Sequence, residues 1–247
     1  MEITSVSNEY VKNCAKLSQK KYRQESGKFI LEGFKAIKEA FDYGIEIENI
    51  FVNKKNLEEY YFAKKLIIET NEIILKKIST TESAPSAAAV AHQKHYDSDL
   101  FKTFKKVVLL EDIKDAGNLG TIIRSSVAFG VDGIVLYGDS VDLYNPKVVR
   151  SSVGNLWKIP VIHVDSIEEL KGIFEGFERI ATLPRANNLL KSYTPKLPLL
   201  LMFGSEANGL SKELIKFSTD SVKIEMSQSV ESLNLATSVS VILYSMF

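Results

Sequence analysis

Residues 199–211 read LLLMFGSEANGLS. Five apolar residues in succession, then two glycines enclosing a hydroxyl, a carboxylate and an amide, describe a strand buried on both faces that runs out into a polar loop. Three further short apolar runs, at 107–110, 133–137 and 179–183, have the same character, and helical patterns separate them. Strands alternating with helices imply an α/β domain built on a parallel sheet. Ligands in such sheets sit beyond the carboxyl ends of the strands, which directs attention to the loops after residues 110, 183 and 203.

Upstream of this domain, residues 1–95 read as a small α/β module. A polar helix is expected over 10–21, a strand over 29–32, and a helix over 34–43 that Gly44 ends. A strand follows at 47–52, a helix at 57–65 and a closing strand at 87–91, after the breaker-rich stretch 80–86. Residues 96–105 hold polar and charged side chains without clear periodicity, and form the expected linker to the domain at 106–247.

Composition narrows the class without naming it. The chain has 247 residues, 45% hydrophobic and 25% charged, enough for a sizeable core in one domain or two. Its 31 basic and 31 acidic residues cancel, so an argument for a nucleic-acid partner must rest on local clustering. The single cysteine, Cys14, excludes an internal disulfide and fits a reducing compartment. With His92, His95 and His163 as the three histidines, no ordinary zinc set is available, and no metal is expected. The opening MEITSVSNEY has neither the basic nor the apolar region of a secretory signal, and no apolar run reaches the roughly 20 residues of a membrane span. A cytoplasmic protein is expected.

Three loops carry chemistry. The first follows the strand at 107–110 and contains Glu111, Asp112, Gly117, Asn118, Gly120, Thr121 and Arg124. Its glycines let backbone approach a ligand, Asn118 can donate and accept, and Arg124 offers a fork of donors suited to phosphate. A plain helix start explains the same residues. The second loop, 204–211, has the glycine spacing of a phosphate-binding loop, but Leu210 stands where the lysine is needed and Lys212 comes two positions late. Glu206 in its middle would repel a triphosphate and suits a ligand with donor groups, such as an amine or a ribose. The third, 229–237, opens an apolar helix, and either Ser232 or Asn234 can cap it.

Taken together, GNLGTIIRSS at 117–126, FGSEANGL at 203–210 and SLNLATS at 232–238 resemble, in order and spacing, the three motifs of the SpoU/TrmH family of SPOUT-class RNA methyltransferases. FILEGFKAIKEAF at 29–41 is similar to the start of the RNA-binding domain that precedes the catalytic domain in many members. The resemblance implies a parallel-sheet SPOUT catalytic domain with a C-terminal trefoil knot, preceded by a small α/β domain similar in fold to a ribosomal protein. It implies methyl transfer from S-adenosylmethionine to a ribose 2′-hydroxyl of RNA by a homodimer whose active sites draw on both subunits. Carried over position by position, Asn118, Arg124, Glu206, Ser232 and Asn234 are the implied catalytic cluster, and Gly204, Ile224 and Leu233 the implied contacts to the methyl donor.

Two departures from the family pattern bear on this. Ala116 stands where a proline is common, which loosens the turn without removing a functional group. The stretch 83–87 lacks the Gln-Gly pair that often follows the proline there, which leaves the RNA target open. An RNA partner also has local support, since residues 10–28 hold Lys12, Lys16, Lys20, Lys21, Arg23 and Lys28 against Glu25 alone. Lys20, Lys21, Arg23 and Lys28 are the expected phosphate contacts, with Tyr22 placed to stack on an unpaired base; a solvated helix face is the competing reading. Ribosomal RNA is the favoured substrate. The alternatives are a tRNA and a non-catalytic RNA-binding or ribosome-assembly protein of the same fold.

Overall fold

The computed structural model describes residues 1–247 except Gln228 and Glu231. Its contacts divide the chain into two units, Met1–Lys94 with Asp142–Trp157, and His95–Val141 with Lys158–Phe247. The first unit begins with α1 (Glu9–Lys16), α2 (Lys20–Ser26), β1 (Lys28–Glu32) and α3 (Phe34–Asp42), and continues with β2 (Ile47–Asn53), β3 (Ile67–Thr70), α4 (Glu72–Ile78) and β4 (Ala87–His92). Among the described residues its sheet has the order β1-β4-β2-β3, with β4 antiparallel to both neighbours and β2 parallel to β3. Residues 87–91 of β4 are at most 1% exposed. Four of those five are alanines, whose small side chains let both faces of an inner strand be covered closely.

Local chemistry explains the differences from the sequence reading. The helix expected over 10–21 is broken into α1 and α2, because Ser18 Oγ takes the Ala15 carbonyl at 2.9 Å and Gln19 is extended. In place of a regular helix at 57–65, the chain winds in 3-10 turns over Lys54–Leu66, interrupted at Ala63. The elements β3 and α4 were not read from the sequence. Asn71 separates them by capping α4, its Oδ1 accepting from the Ile74 amide at 3.0 Å. Cys14 is 2% exposed, and burial first, then the charge of Glu48, pushes its thiol up to about 12. It is a packing residue.

The second unit holds β5 (Lys106–Glu111), α5 (Ala116–Ala128), β6 (Gly133–Tyr137), then, after an excursion into the first unit that carries α6 (Pro146–Ser151), β7 (Val161–Val164), α7 (Ile167–Ile173), β8 (Glu178–Thr182), β9 (Asn188–Leu189), β10 (Leu199–Phe203), α8 (Lys212–Phe217), β11 (Asp220–Lys223) and α9 (Leu235–Met246). Among the described residues the sheet is wholly parallel, in the order β7-β6-β5-β10-β8-β11-β9. The four expected strands are β5, β6, β8 and β10. The expected α/β class with a parallel sheet is therefore what the chain adopts. Each residue of β10 is at most 1% exposed, and its ladder pairs Phe203 with Leu110 and Met202 with Ala181. That register brings the carboxyl ends of β5, β10 and β8 side by side. Among the described residues no helix is long and apolar enough to cross a membrane.

The segment Asp142–Trp157, which follows β6 in the chain, packs in the first unit. Arg23, only 2% exposed, directs Nη2 at Asp142 Oδ2 (2.6 Å) and Nε at the same oxygen (2.7 Å), while Nη1 donates to the Leu17 carbonyl at 2.8 Å. The rings of Tyr144 and Trp157 lie 4.7 and 5.6 Å from that of Phe29. A guanidinium in such surroundings cannot shed its charge, so removing its partner leaves the charge buried. Asp142→Asn is expected to destabilise the first unit by about 3–5 kcal/mol, lowering its melting temperature by roughly 6–20 °C in a calorimetric scan. A shift within experimental error would show that the pair does not hold this segment.

Candidate active site

Asn118 is the hub of the second unit's loop cluster. Asp115 caps α5 by accepting from the Asn118 amide at 2.8 Å, which sets the Asn118 side chain at the mouth of the first loop. Its Nδ2 donates to Glu206 Oε1 at 2.6 Å, and its Oδ1 accepts from Asn234 Nδ2 at 3.1 Å. Asn234 in turn caps α9, its Oδ1 accepting from the Thr237 amide at 3.2 Å. The network fixes its own amide orientations. An ionised Glu206 only accepts, so Asn118 must present its NH2 group there and its oxygen to Asn234. Loops 88 and 116 residues away from Asn118 are thus tied to one side chain.

The loop after β10 is folded tightly on itself. The Gly209 amide donates to the Ser205 carbonyl at 2.9 Å, and the Asn208 amide to Ser205 Oγ at 3.2 Å. A Cβ on Gly204 would overlap the carbonyl carbon of Gly209 and the nitrogen of Leu210, so glycine is required. The far end of the loop is anchored by Glu111, 6% exposed at the end of β5, whose Oε2 accepts from the Ser211 amide at 2.7 Å. Ser211 then caps α8 through the Leu214 amide at 3.2 Å. Tyr137 donates to Glu213 of α8 at 3.1 Å, and burial followed by that carboxylate pushes the phenol up to about 12, so it remains a donor through the neutral range.

Beside this network opens a cavity of about 460 Å3. Six of the eight residues implied by the motifs line it: Gly204, Glu206, Ile224, Ser232, Leu233 and Asn234. Asn118 reaches its edge through Glu206 and Asn234. Arg124 does not line it; it is exposed on α5, six residues beyond Asn118 and therefore on a different helical face. Leu183 and Pro184, from the loop after β8, and Met226 complete the apolar wall. The strand-end rule pointed to the loop after residue 183, and Glu111 belonged to the polar set of the first loop, but nothing in the sequence singled out Met226 or showed Glu111 to be an anchor.

The expected phosphate contacts of the first unit divide. Lys20 and Lys21 are exposed on α2, whereas Lys28 pairs with Glu48 at 2.5 Å. Arg23 is a correction: buried and bonded to Asp142 and the Leu17 carbonyl, its guanidinium is used inside the unit and is not presented to RNA. The Tyr22 ring has Lys16 and Lys21 ammonium groups 5.7 and 5.9 Å from its centre. Among the described residues no group of His, Cys, Asp or Glu side chains is disposed to hold a metal ion. His163 bonds the Gly138 carbonyl at 2.8 Å, and His92 lies beside Glu46 and Glu48.

This arrangement has close counterparts. Residues 105–244 match the model of the SpoU rRNA methylase family, and residues 8–89 match that of the MRM3-like substrate binding domain. An uncharacterised tRNA/rRNA methyltransferase of Synechocystis is 33% identical over 98% of this chain and 92% of its own length. The 23S rRNA (guanosine(2553)-2′-O)-methyltransferase RlmP of Bacillus subtilis is 28% identical over 98% of both chains. The crystal structure of an AdoMet-bound rRNA methyltransferase from Sinorhizobium meliloti superposes with a TM-score of 0.90 at 27% identity, covering 99% of this chain and 96% of the other. With its three motif loops gathered at the strand ends of a parallel sheet and both halves matched, the chain belongs to the SpoU rRNA methylase family.

Proposed function

We propose that the protein transfers the methyl group of S-adenosylmethionine to a ribose 2′-hydroxyl of large-subunit ribosomal RNA. The observation that carries this is the Glu206–Asn118–Asn234 chain of hydrogen bonds at the mouth of the 460 Å3 cavity. The cavity suits the donor. Small-molecule sites measure about 300–1,000 Å3, and the walls here are apolar at Leu183, Pro184, Ile224, Met226 and Leu233, as an adenine requires. Glu206 at the mouth favours a cationic ligand. Gly204 keeps the loop close-packed where any side chain would force it apart.

The sulfonium of the donor supplies a methyl group already activated for displacement, so the protein's task is alignment and management of the hydroxyl proton. Asn118 and Asn234 hold the loops in register, and Glu206 offers the exposed carboxylate that accepts hydrogen bonds there. Arg124, always protonated, holds a phosphate of the substrate and stabilises the developing alkoxide.

A homodimer belongs to the same reading, because Arg124 lies off the cavity of its own chain and meets substrate when a second copy is apposed. Helix α9, bonded to α5 through Ser125 and Ser240 (2.8 Å), exposes Tyr244 at 77%, Val241 at 37% and Phe247 at 38%, an apolar face suited to such pairing. A C-terminal trefoil knot, implied by the motifs, is part of the same reading. Exposed Lys12, Lys16, Lys20 and Lys21 support RNA contact by the first unit. A ribosomal substrate also accords with the cytoplasmic location expected from the sequence.

The test is incubation with labelled donor and separate rRNA and tRNA pools, followed by mapping of blocked 2′-positions. Label in large-subunit rRNA is the expected result. Label in tRNA alone overturns the target. Donor binding without transfer to either identifies a non-catalytic assembly protein.

A further inference from the structure

Helix α3 carries a second face that its core packing does not use. Ile37 and Ala40 are fully buried beneath it. Phe34, Lys38 and Phe41, spaced four and three residues apart, form a stripe that flanks the buried one, with Phe34 40% and Phe41 38% exposed. Phe62, from the 3-10 segment, sits between the two rings, its centre 6.2 Å from that of Phe34 and 5.0 Å from that of Phe41, edge to face at 82° and 69°. Tyr60, fully buried and bonded to Ser86 Oγ at 2.9 Å, supports Phe34 from below with ring centres 5.5 Å apart. The rings are therefore fixed in place while two of them still face water.

Cations surround this cluster. Lys38, held by Asp42 at 2.5 and 2.6 Å, has Nζ 5.3 Å from the centre of the Phe62 ring. On the other flank Phe34 borders a cavity of about 390 Å3 whose lining includes Lys35 and Arg150. Lys35 is exposed, and Arg150 is anchored to Glu32 at 3.4 Å with 37% of its side chain exposed. Rigid aromatic faces beside anchored positive charge are the elements with which proteins engage unpaired nucleotides, bases stacking on rings and phosphates pairing with the cations.

We propose that the Phe34–Phe62–Phe41 face, with Lys35 and Arg150 beside it, is a docking site for a single-stranded segment of the substrate RNA. This rests on the RNA-modifying function proposed above and adds the structural class of RNA that the first unit reads. A second copy of the chain fits the face poorly. Phenylalanines cover roughly 150–250 Å2 each, so two rings about two-fifths exposed present on the order of 200 Å2, against about 800 Å2 per partner in a standard interface.

The experiment uses the full chain and two fluorescein-labelled probes, an unstructured adenosine oligonucleotide of about 12 residues and a blunt RNA duplex of similar length. Phe34→Ala and Phe41→Ala are each expected to weaken single-strand binding about tenfold. Duplex affinity and donor affinity stay unchanged, while the melting temperature falls modestly as ring packing on Phe62 and Tyr60 is lost. Phe41→Trp restores single-strand binding, and its emission is quenched as the oligonucleotide is added. Equal single-strand affinity in the alanine variants overturns the proposal, as does a parallel loss for both probes or a loss of dimer in place of a loss of RNA. Methyl transfer to rRNA by the unchanged chain, with no single-strand binding, overturns this site and leaves the function standing. Ring-dependent single-strand binding without any methyl transfer does the reverse.

Discussion

Replacing Arg124 by alanine is expected to lower kcat by about 10²- to 10³-fold or more and to leave donor affinity unchanged. The separation of the two effects comes from geometry. Donor contacts are assigned to the cavity lined by Gly204, Ile224 and Leu233, which Arg124 does not touch, so calorimetry with the donor registers the same Kd. Under the proposed mechanism catalysis suffers because a guanidinium that meets a charge developing only in the transition state stabilises that state and not the bound substrate. Lysine at this position recovers part of the rate through its charge, but lacks the planar fork that can hold phosphate and alkoxide together. Single-turnover kinetics at saturating RNA measures the step directly. Unimpaired turnover in Arg124→Ala removes Arg124 from the mechanism.

The second large effect is expected at Gly204. An alanine methyl there overlaps main-chain atoms of Gly209 and Leu210, and backbone cannot rotate aside as a flexible side chain can. The loop must open, and forcing groups into a packed site costs about 1–3 kcal/mol or more. That cost falls on the state in which Glu206 reaches Asn118, so Gly204→Ala is expected to weaken donor binding by roughly 5- to 150-fold, with kcat falling as well. Gly209 provides the contrast. A Cβ there meets open space, but its φ of +65° strains any other residue, so Gly209→Ala costs about 1–2 kcal/mol through backbone conformation alone. Donor titrations of the two variants, beside thermal melting, distinguish a steric block from a strained turn. Wild-type donor affinity in Gly204→Ala means that the loop does not cradle the donor.

Much of the fold was legible because its strands are short, wholly apolar and bounded by polar loops. β10 and β5 stand out for that reason. β7, with His163 on its exposed side, offers a four-residue run too brief to separate from a loop. The run 66–78 holds a strand and a helix in two apolar pieces of three residues each, too short to assign by periodicity, and the polar break between them carries the Asn71 cap. The attachment of Asp142–Trp157 to the first unit depends on contacts such as Arg23 to Asp142, 119 residues apart, which no local pattern encodes. The same bond hid the fate of Arg23, which in the sequence is one more cation in a basic run.

The candidate site was legible as residue types and not as bonds. Motif resemblance singled out Asn118, Glu206 and Asn234, but only folding shows that Asn118 bridges the other two, and that Asn234 spends its remaining oxygen on capping α9. Glu111 stood among the polar residues of the first loop, but its role was not legible, because a carboxylate at a strand end reads as surface. Its burial and its bond to the Ser211 amide make it the anchor of the loop after β10.

The most direct test of the account is a crystal structure of the protein grown with S-adenosylmethionine. The account predicts the donor in the cavity beside Gly204, Ile224 and Leu233, with the Glu206–Asn118–Asn234 bonds intact at its mouth. A donor bound elsewhere, or loops drawn apart with those bonds broken, contradicts it.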